Sequence, residues 1–147
     1  MSLAKNEYEA AQIVFVPIET SLKNIMIEIT DLEDGKGNVI GKKNIAFSLV
    51  GYVPTKKPDY PTPFVGFWPD PLEEMRRFNV SKGKIQPLWL SLYAPEETPA
   101  GNYIGHITIK PENAGALDLT LNVRIYNFSL PRTPLLKTAF DIYPNYI

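Results

Sequence analysis

Leu117-Asp118-Leu119-Thr120-Leu121-Asn122-Val123-Arg124-Ile125 decides the fold class. The odd positions are all aliphatic and the even positions all polar or charged. A period of two puts these sets on opposite faces of an extended chain, as a half-buried antiparallel strand requires. Just upstream, Tyr103, Gly105, Ile107 and Ile109 alternate with Ile104, His106, Thr108 and Lys110. The turn-rich run Pro111-Glu112-Asn113-Ala114-Gly115 joins the two segments, so together they read as a hairpin.

The same alternation recurs toward the N-terminus. Leu88, Leu90 and Leu92 alternate with Trp89, Ser91 and Tyr93; Ile25, Ile27 and Ile29 alternate with Met26, Glu28 and Thr30. Ile45, Phe47 and Leu49 form a further β-rich run, preceded by the turn signals Asp34-Gly35 and Gly37-Asn38. A first strand spans about Tyr8 to Val16. Within it Ile13-Val14-Phe15-Val16 is apolar on both faces, which predicts burial on both sides or a bulge. Leu72-Glu73-Glu74-Met75-Arg76-Arg77-Phe78, placed after Pro71, reads as a short helix. Six or seven strands without a long helix predict an all-β fold, an antiparallel β-sandwich of immunoglobulin-like type.

The composition fits one soluble domain. A chain of 147 residues with 44% hydrophobic and 21% charged residues can bury a single core. Fifteen Lys and Arg against 16 Asp and Glu leave no basic surplus to neutralise phosphates, so nucleic acid is not an expected partner. The absence of cysteine excludes disulfides, thiolate metal sites and a cysteine nucleophile. No apolar run is long enough to span a bilayer, and membrane insertion is not expected. Met1-Ser2-Leu3 reads as a cloning remnant, in which case a signal peptide would have been removed with the native start.

Catalytic machinery is thin. His106 is the sole histidine and faces away from the apolar set, which reads as a surface residue rather than a general base. Asp59 and Asp70 flank an aromatic segment; as loop aspartates beside prolines they read as turn formers before they read as a carboxylate pair. Asp31 to Asn38 faintly resembles a calcium loop but lacks the alternating ligands and distal glutamate, so a hairpin turn is preferred. No catalytic residue, metal site or cofactor is assigned.

The stretch from Pro54 to Asn79 departs from the strand pattern. Six prolines (Pro54, Pro58, Pro61, Pro63, Pro69, Pro71) stiffen it, and it carries Tyr60, Phe64, Phe67 and Trp68. A long stiffened loop is usually functional or packed by its own side chains. Its rings would then form a carbohydrate-stacking platform or a satellite core folded over the sandwich; the satellite core is the preferred reading. Trp89 and Tyr93, opposite the leucines of their strand, are candidates for contact with this loop or with a neighbouring domain.

Three segments carry a family resemblance: Asn6-Glu7-Tyr8-Glu9-Ala10-Ala11-Gln12, Gln86-Pro87-Leu88-Trp89-Leu90-Ser91-Leu92-Tyr93-Ala94-Pro95, and Thr98-Pro99-Ala100-Gly101-Asn102-Tyr103-Ile104-Gly105. They resemble the N-terminal β-sandwich domain that precedes a (β/α)₈ barrel in glycoside hydrolase family 123 and in the related bacterial domain of unknown function 4091 proteins. The resemblance implies a sandwich over residues 1–130, a linker at Leu130-Pro131-Arg132-Thr133-Pro134, and within 131–147 the first barrel strand at Ala139-Phe140-Asp141-Ile142-Tyr143. It also implies that the catalytic carboxylates lie in the barrel and that family 123 acts on N-acetylgalactosaminides. The expected role is a non-catalytic accessory domain of a larger extracellular or cell-surface bacterial protein, partnered by the adjacent catalytic domain. A carbohydrate-binding module using the loop aromatics, with a glycan partner, and a structural or adhesion domain are the alternatives.

Overall fold

The computed structural model describes residues 1–133 and residue 136. The eleven strands among them are β1 (Ser2–Lys5), β2 (Glu7–Phe15), β3 (Leu22–Ile29), β4 (Leu32–Glu33), β5 (Val39–Ile40), β6 (Ile45–Pro54), β7 (Phe67–Glu74), β8 (Phe78–Val80), β9 (Gln86–Ala94), β10 (Gly101–Lys110) and β11 (Leu117–Ser129). A single 3₁₀ turn at Lys42–Asn44 is the helical element among the described residues. The strands form two sheets. One runs β1-β11-β10-β3-β8, with the small β4–β5 hairpin attached to β10; the other runs β2-β9-β6-β7.

The core lies where the alternating faces meet. Leu88, Leu90 and Leu92 of β9 are essentially sealed from solvent. With them in one cluster lie Tyr103, Ile107 and Ile109 of β10 and Leu121, Val123 and Ile125 of β11. Burying each of these aliphatic side chains stabilises the fold by roughly 1.5–3 kcal/mol. The β10–β11 hairpin pairs without interruption from Gly101↔Ile125 to Ile109↔Leu117, as the two alternating segments require. Leu117 itself is exposed, so the apolar face of β11 extends past the covered part of the core.

Several expectations are corrected. The segment after Pro71 is not a helix: Phe67–Glu74 pairs antiparallel with β6, and Phe78–Val80 pairs with β3. Tertiary pairing overrides the helix-favouring Leu-Glu-Glu-Met-Arg-Arg composition. Because β7 is an edge strand, Pro69 and Pro71 can sit in it without removing a ladder bond on both sides. The loop expected over Pro54–Asn79 is therefore largely a hairpin arm, with its irregular part between Pro54 and Phe67. Ile13-Val14-Phe15-Val16 is neither doubly buried nor bulged. The β2–β9 register is unbroken, Phe15 is in the core, and Val14 and Val16 are each at least half exposed.

The first residues are also part of the fold. Leu3 is fully buried, and β1 pairs parallel with β11, the one departure from antiparallel pairing among the described strands. Asp31 to Asn38 forms the expected hairpin turn: Leu32 pairs with Ile40 and Glu33 with Val39. Asp34 organises the turn by accepting from the backbone N–H groups of Lys36 and Asn38 and from the Asn38 amide, at 2.7–3.0 Å. The Asn38 side-chain bond, helped by those backbone donors, holds the Asp34 carboxyl below its ordinary value of 3.8.

The Thr98–Gly105 segment is pinned by two devices. The phenol of the buried Tyr103 donates to the Pro99 carbonyl at 2.8 Å, satisfying a polar group the core would otherwise strand. Burial, with the Asp34 carboxylate adding to it, pushes that phenol's pKa up. Two residues on, a Cβ at Gly105 would collide with Leu32 Cδ2 and come within 3.1 Å of the Asp31 carbonyl oxygen. Glycine here is a packing requirement that lets β4 close over β10. Gly105→Ala is expected to destabilise the protein by about 1–3 kcal/mol through overpacking; urea denaturation checks this, and an unchanged midpoint would show that β4 yields freely.

Candidate functional site

Two surfaces carry the aromatic residues singled out by sequence. The first is the outer face of the β2-β9-β6 sheet. Because Leu88, Leu90 and Leu92 point inward, Trp89, Ser91 and Tyr93 point outward. Trp89 registers between Gln12 of β2 and Ser48 of β6, and Ser91 between Ala10 and Ala46. Tyr93 registers with Tyr8, and the two rings stack at 4.6 Å with 30° between their planes. The result is a shallow face with small side chains at its centre and aromatic rings at its borders. Tyr8 is 73% exposed although it lies in a paired strand. Its part in the face was missed in the sequence; the alternation of β2 opposite β9 would have found it.

Asn6 anchors this face to the rest of the molecule. It occupies the left-handed region (φ 60°) between β1, in one sheet, and β2, in the other. Its backbone N–H donates to the Ala94 carbonyl at 2.7 Å, and its side-chain amide donates to the Leu130 carbonyl at 3.0 Å. Its side-chain oxygen accepts from the Tyr93 hydroxyl at 2.9 Å. One residue thus ties the sheet-switching corner, the aromatic face and the end of β11 together. Just beyond, Arg132 pairs with Glu96 at 2.7 Å, and both border an open cleft of about 590 Å³ between Tyr93 and Lys43.

The second surface is the arm formed by β6, β7 and the segment between them. Its end pairs Tyr52 with Pro69, Val53 with Trp68 and Pro54 with Phe67. Adjacent strand residues face opposite ways, so Phe67 and Trp68 lie on opposite sides of the ribbon. Tyr60, Phe64 and Trp68 come together around an open cleft of about 330 Å³, with Thr55, Lys56 and Thr62 supplying its polar groups. Phe64 meets Trp68 edge-on at 5.6 Å. Phe67 is not part of this cleft. The satellite-core expectation is corrected: all four rings are exposed, from 43% for Trp68 to 71% for Tyr60.

The remaining candidates stand alone. His106 is exposed on the outer face of β10, and its backbone N–H donates to the Thr30 hydroxyl. Asp59 lies in the arm's irregular segment and Asp70 on β7, both exposed. No group of three or more His, Cys, Asp or Glu side chains among the described residues is arranged to hold a metal ion. Among those residues no helix is long and apolar enough to cross a membrane. The proposed barrel strand at Ala139–Tyr143 lies outside the described residues.

Architecture and surfaces together define a two-sheet β-sandwich domain that displays aromatic side chains on one sheet face and on a projecting arm. The family model of the glycoside hydrolase 123 N-terminal domain matches residues 4–111, and the chain belongs to that family. A solved family 123 glycoside hydrolase from Clostridium perfringens, studied for glycolipid glycan hydrolysis, shares the fold, with a TM-score of 0.74 at 19% identity. The match covers 88% of this chain and 23% of that one, so this chain spans under a quarter of that enzyme's length. No curated protein matches the chain.

The Asn6 corner yields a graded expectation. Asn6→Gly keeps the left-handed backbone but removes both side-chain bonds, at a cost of about 1–2 kcal/mol. Asn6→Ala adds backbone strain of about 1 kcal/mol more. Denaturation midpoints in the order wild type, Gly, Ala are expected; equal midpoints for Gly and Ala would show that the corner relaxes.

Proposed function

We propose that this domain is a non-catalytic accessory module of a larger glycoside hydrolase-like bacterial protein and that its β2-β9-β6 face packs on the adjacent catalytic domain. The observation that carries the reading is the exposed aromatic face itself. The exposed Tyr8 stacks on the half-buried Tyr93, Trp89 lies two rows along the same face, and the small residues of the row between leave the centre flat enough for another surface to approach. Aromatic rings with few charges around them mark the centre of protein interfaces. Membership of the family's N-terminal domain supports a neighbouring hydrolase domain as the occupant. On this reading the protein works at or outside the cell surface, where glycans too large to cross a membrane are met.

The test uses both the isolated chain and the parent protein. The isolated chain is expected to leave aryl N-acetylgalactosaminides unhydrolysed. A Tyr8→Asp variant is expected to melt within about 5 °C of wild type as an isolated chain, since the exposed Tyr8 ring loses only its stacking on Tyr93. In the parent it is expected to lower the melting temperature and the activity. Hydrolysis by the isolated chain would overturn the non-catalytic reading; an unaffected parent would overturn the docking face.

The arm supports a second reading, a carbohydrate-binding surface. Its support is the convergence of Tyr60, Phe64 and Trp68 on one open cleft with hydroxyl-bearing neighbours. Apolar faces of pyranose rings pack against aromatic rings as other apolar surfaces do. Glycan titration is expected to show binding that Trp68→Ala abolishes, and binding that survives this substitution would remove the cleft from consideration.

A further inference from the structure

The cleft on the arm is unevenly supplied with hydrogen-bonding groups, and the imbalance bears on what it can hold. Both threonine hydroxyl protons are already committed. Thr55 Oγ1 donates to the Gly66 carbonyl at 3.0 Å while accepting from the Gly66 N–H at 3.1 Å. Thr62 Oγ1 donates to the Phe64 carbonyl at 3.1 Å. These bonds shape the loop and leave the threonines as acceptors only.

Lys56 is the one charged residue on the lining, which contains no carboxylate. Among the described residues the ion pairs are Lys110–Glu28 and Arg132–Glu96, so the Lys56 ammonium is not neutralised by either. Trp68, whose indole makes no hydrogen bond to the described residues, is on the same lining. A cationic group with three donors beside an aromatic wall favours a ligand that offers an anionic acceptor next to an apolar ring face.

We infer that the cleft takes an anionic saccharide, its pyranose ring against Trp68 and Tyr60 and its carboxylate or sulfate toward Lys56. This rests on the saccharide reading of the arm and adds to it the class of sugar. The ammonium is solvent-exposed, so its contribution is a preference rather than the whole of the affinity. An exposed ion pair is worth up to about five-fold in binding.

Titration calorimetry on the intact chain with lactose, 3′-sialyllactose and lactose 3′-sulfate separates the possibilities. The expected result is binding of all three sugars, with one or both anionic forms about three- to five-fold tighter. Lys56→Gln is expected to erase that preference, bringing the affinities for the three sugars together, and 0.5 M NaCl to shrink it, because the Debye length falls to about 4 Å. Trp68→Ala is expected to abolish binding of all three. A preference for the carboxylate alone or for the sulfate alone identifies the source of the anion. Equal affinities for all three, or a preference that survives Lys56→Gln, overturn the anionic assignment and leave the saccharide reading intact. Failure of all three sugars to bind overturns both.

Discussion

Water is excluded between the leucine ladder of β9 and the inner faces of β10 and β11, and every other feature is arranged around that contact. Leu88, Leu90 and Leu92 commit β9 to one orientation, because a one-residue slip in register would turn them all to solvent. That commitment fixes Trp89 and Tyr93 outward as firmly as it fixes the leucines inward. The aromatic face is thus a by-product of the core in position, though not in composition. Alternation requires something other than a large buried side chain at those places, yet a tryptophan and a tyrosine stand there rather than lysine or glutamate.

The remaining parts solve the problem of closing a sandwich whose sheets the chain must link. Asn6 makes the first crossing within a single residue, using a backbone conformation that asparagine tolerates better than most. Gly105 removes a side chain where the small β4–β5 hairpin must lie against β10. Tyr103 brings an aromatic ring into the core and returns its hydroxyl to the turn that precedes it. Each device costs little in length. The arm lies outside this economy: every residue of β7 is exposed, and its sequence answers to the β6 edge rather than to the core.

What was legible in the sequence follows from these differences. Leu117–Ile125, Tyr103–Lys110 and Leu88–Tyr93 declared themselves because each has one face buried and one face wet. The segment after Pro71 was misread as helix because a fully exposed edge strand has no buried face to impose alternation, leaving only local propensity. β1 went unseen because four residues are too few for a period, and its parallel partner is more than 120 residues away. Val14 and Val16 misled because apolar side chains on an exposed face look like those of a buried strand. Trp89 and Tyr93 were correctly set apart by parity. Tyr60, Phe64 and Trp68 were recognisable as a group, but whether the loop folded back or stood clear depended on the β6–β7 pairing, which the sequence pattern did not show.

The parallel pairing of β1 with β11 has a mechanical consequence. Met1 donates through its terminal amine to Asn122 and accepts from the Arg124 N–H, while at the far end of the strand Lys5 accepts from Leu130. Because the two strands run the same way, tension applied between Met1 and Leu130 pulls them along each other. The bonds between them then share the load and must fail together, instead of opening in succession from one end. Leu3, seated in the core between those bonds, adds a side chain that would have to be dragged out sideways before the strands could slide. A pull between Met1 and Leu130 therefore loads β1 and β11 in shear.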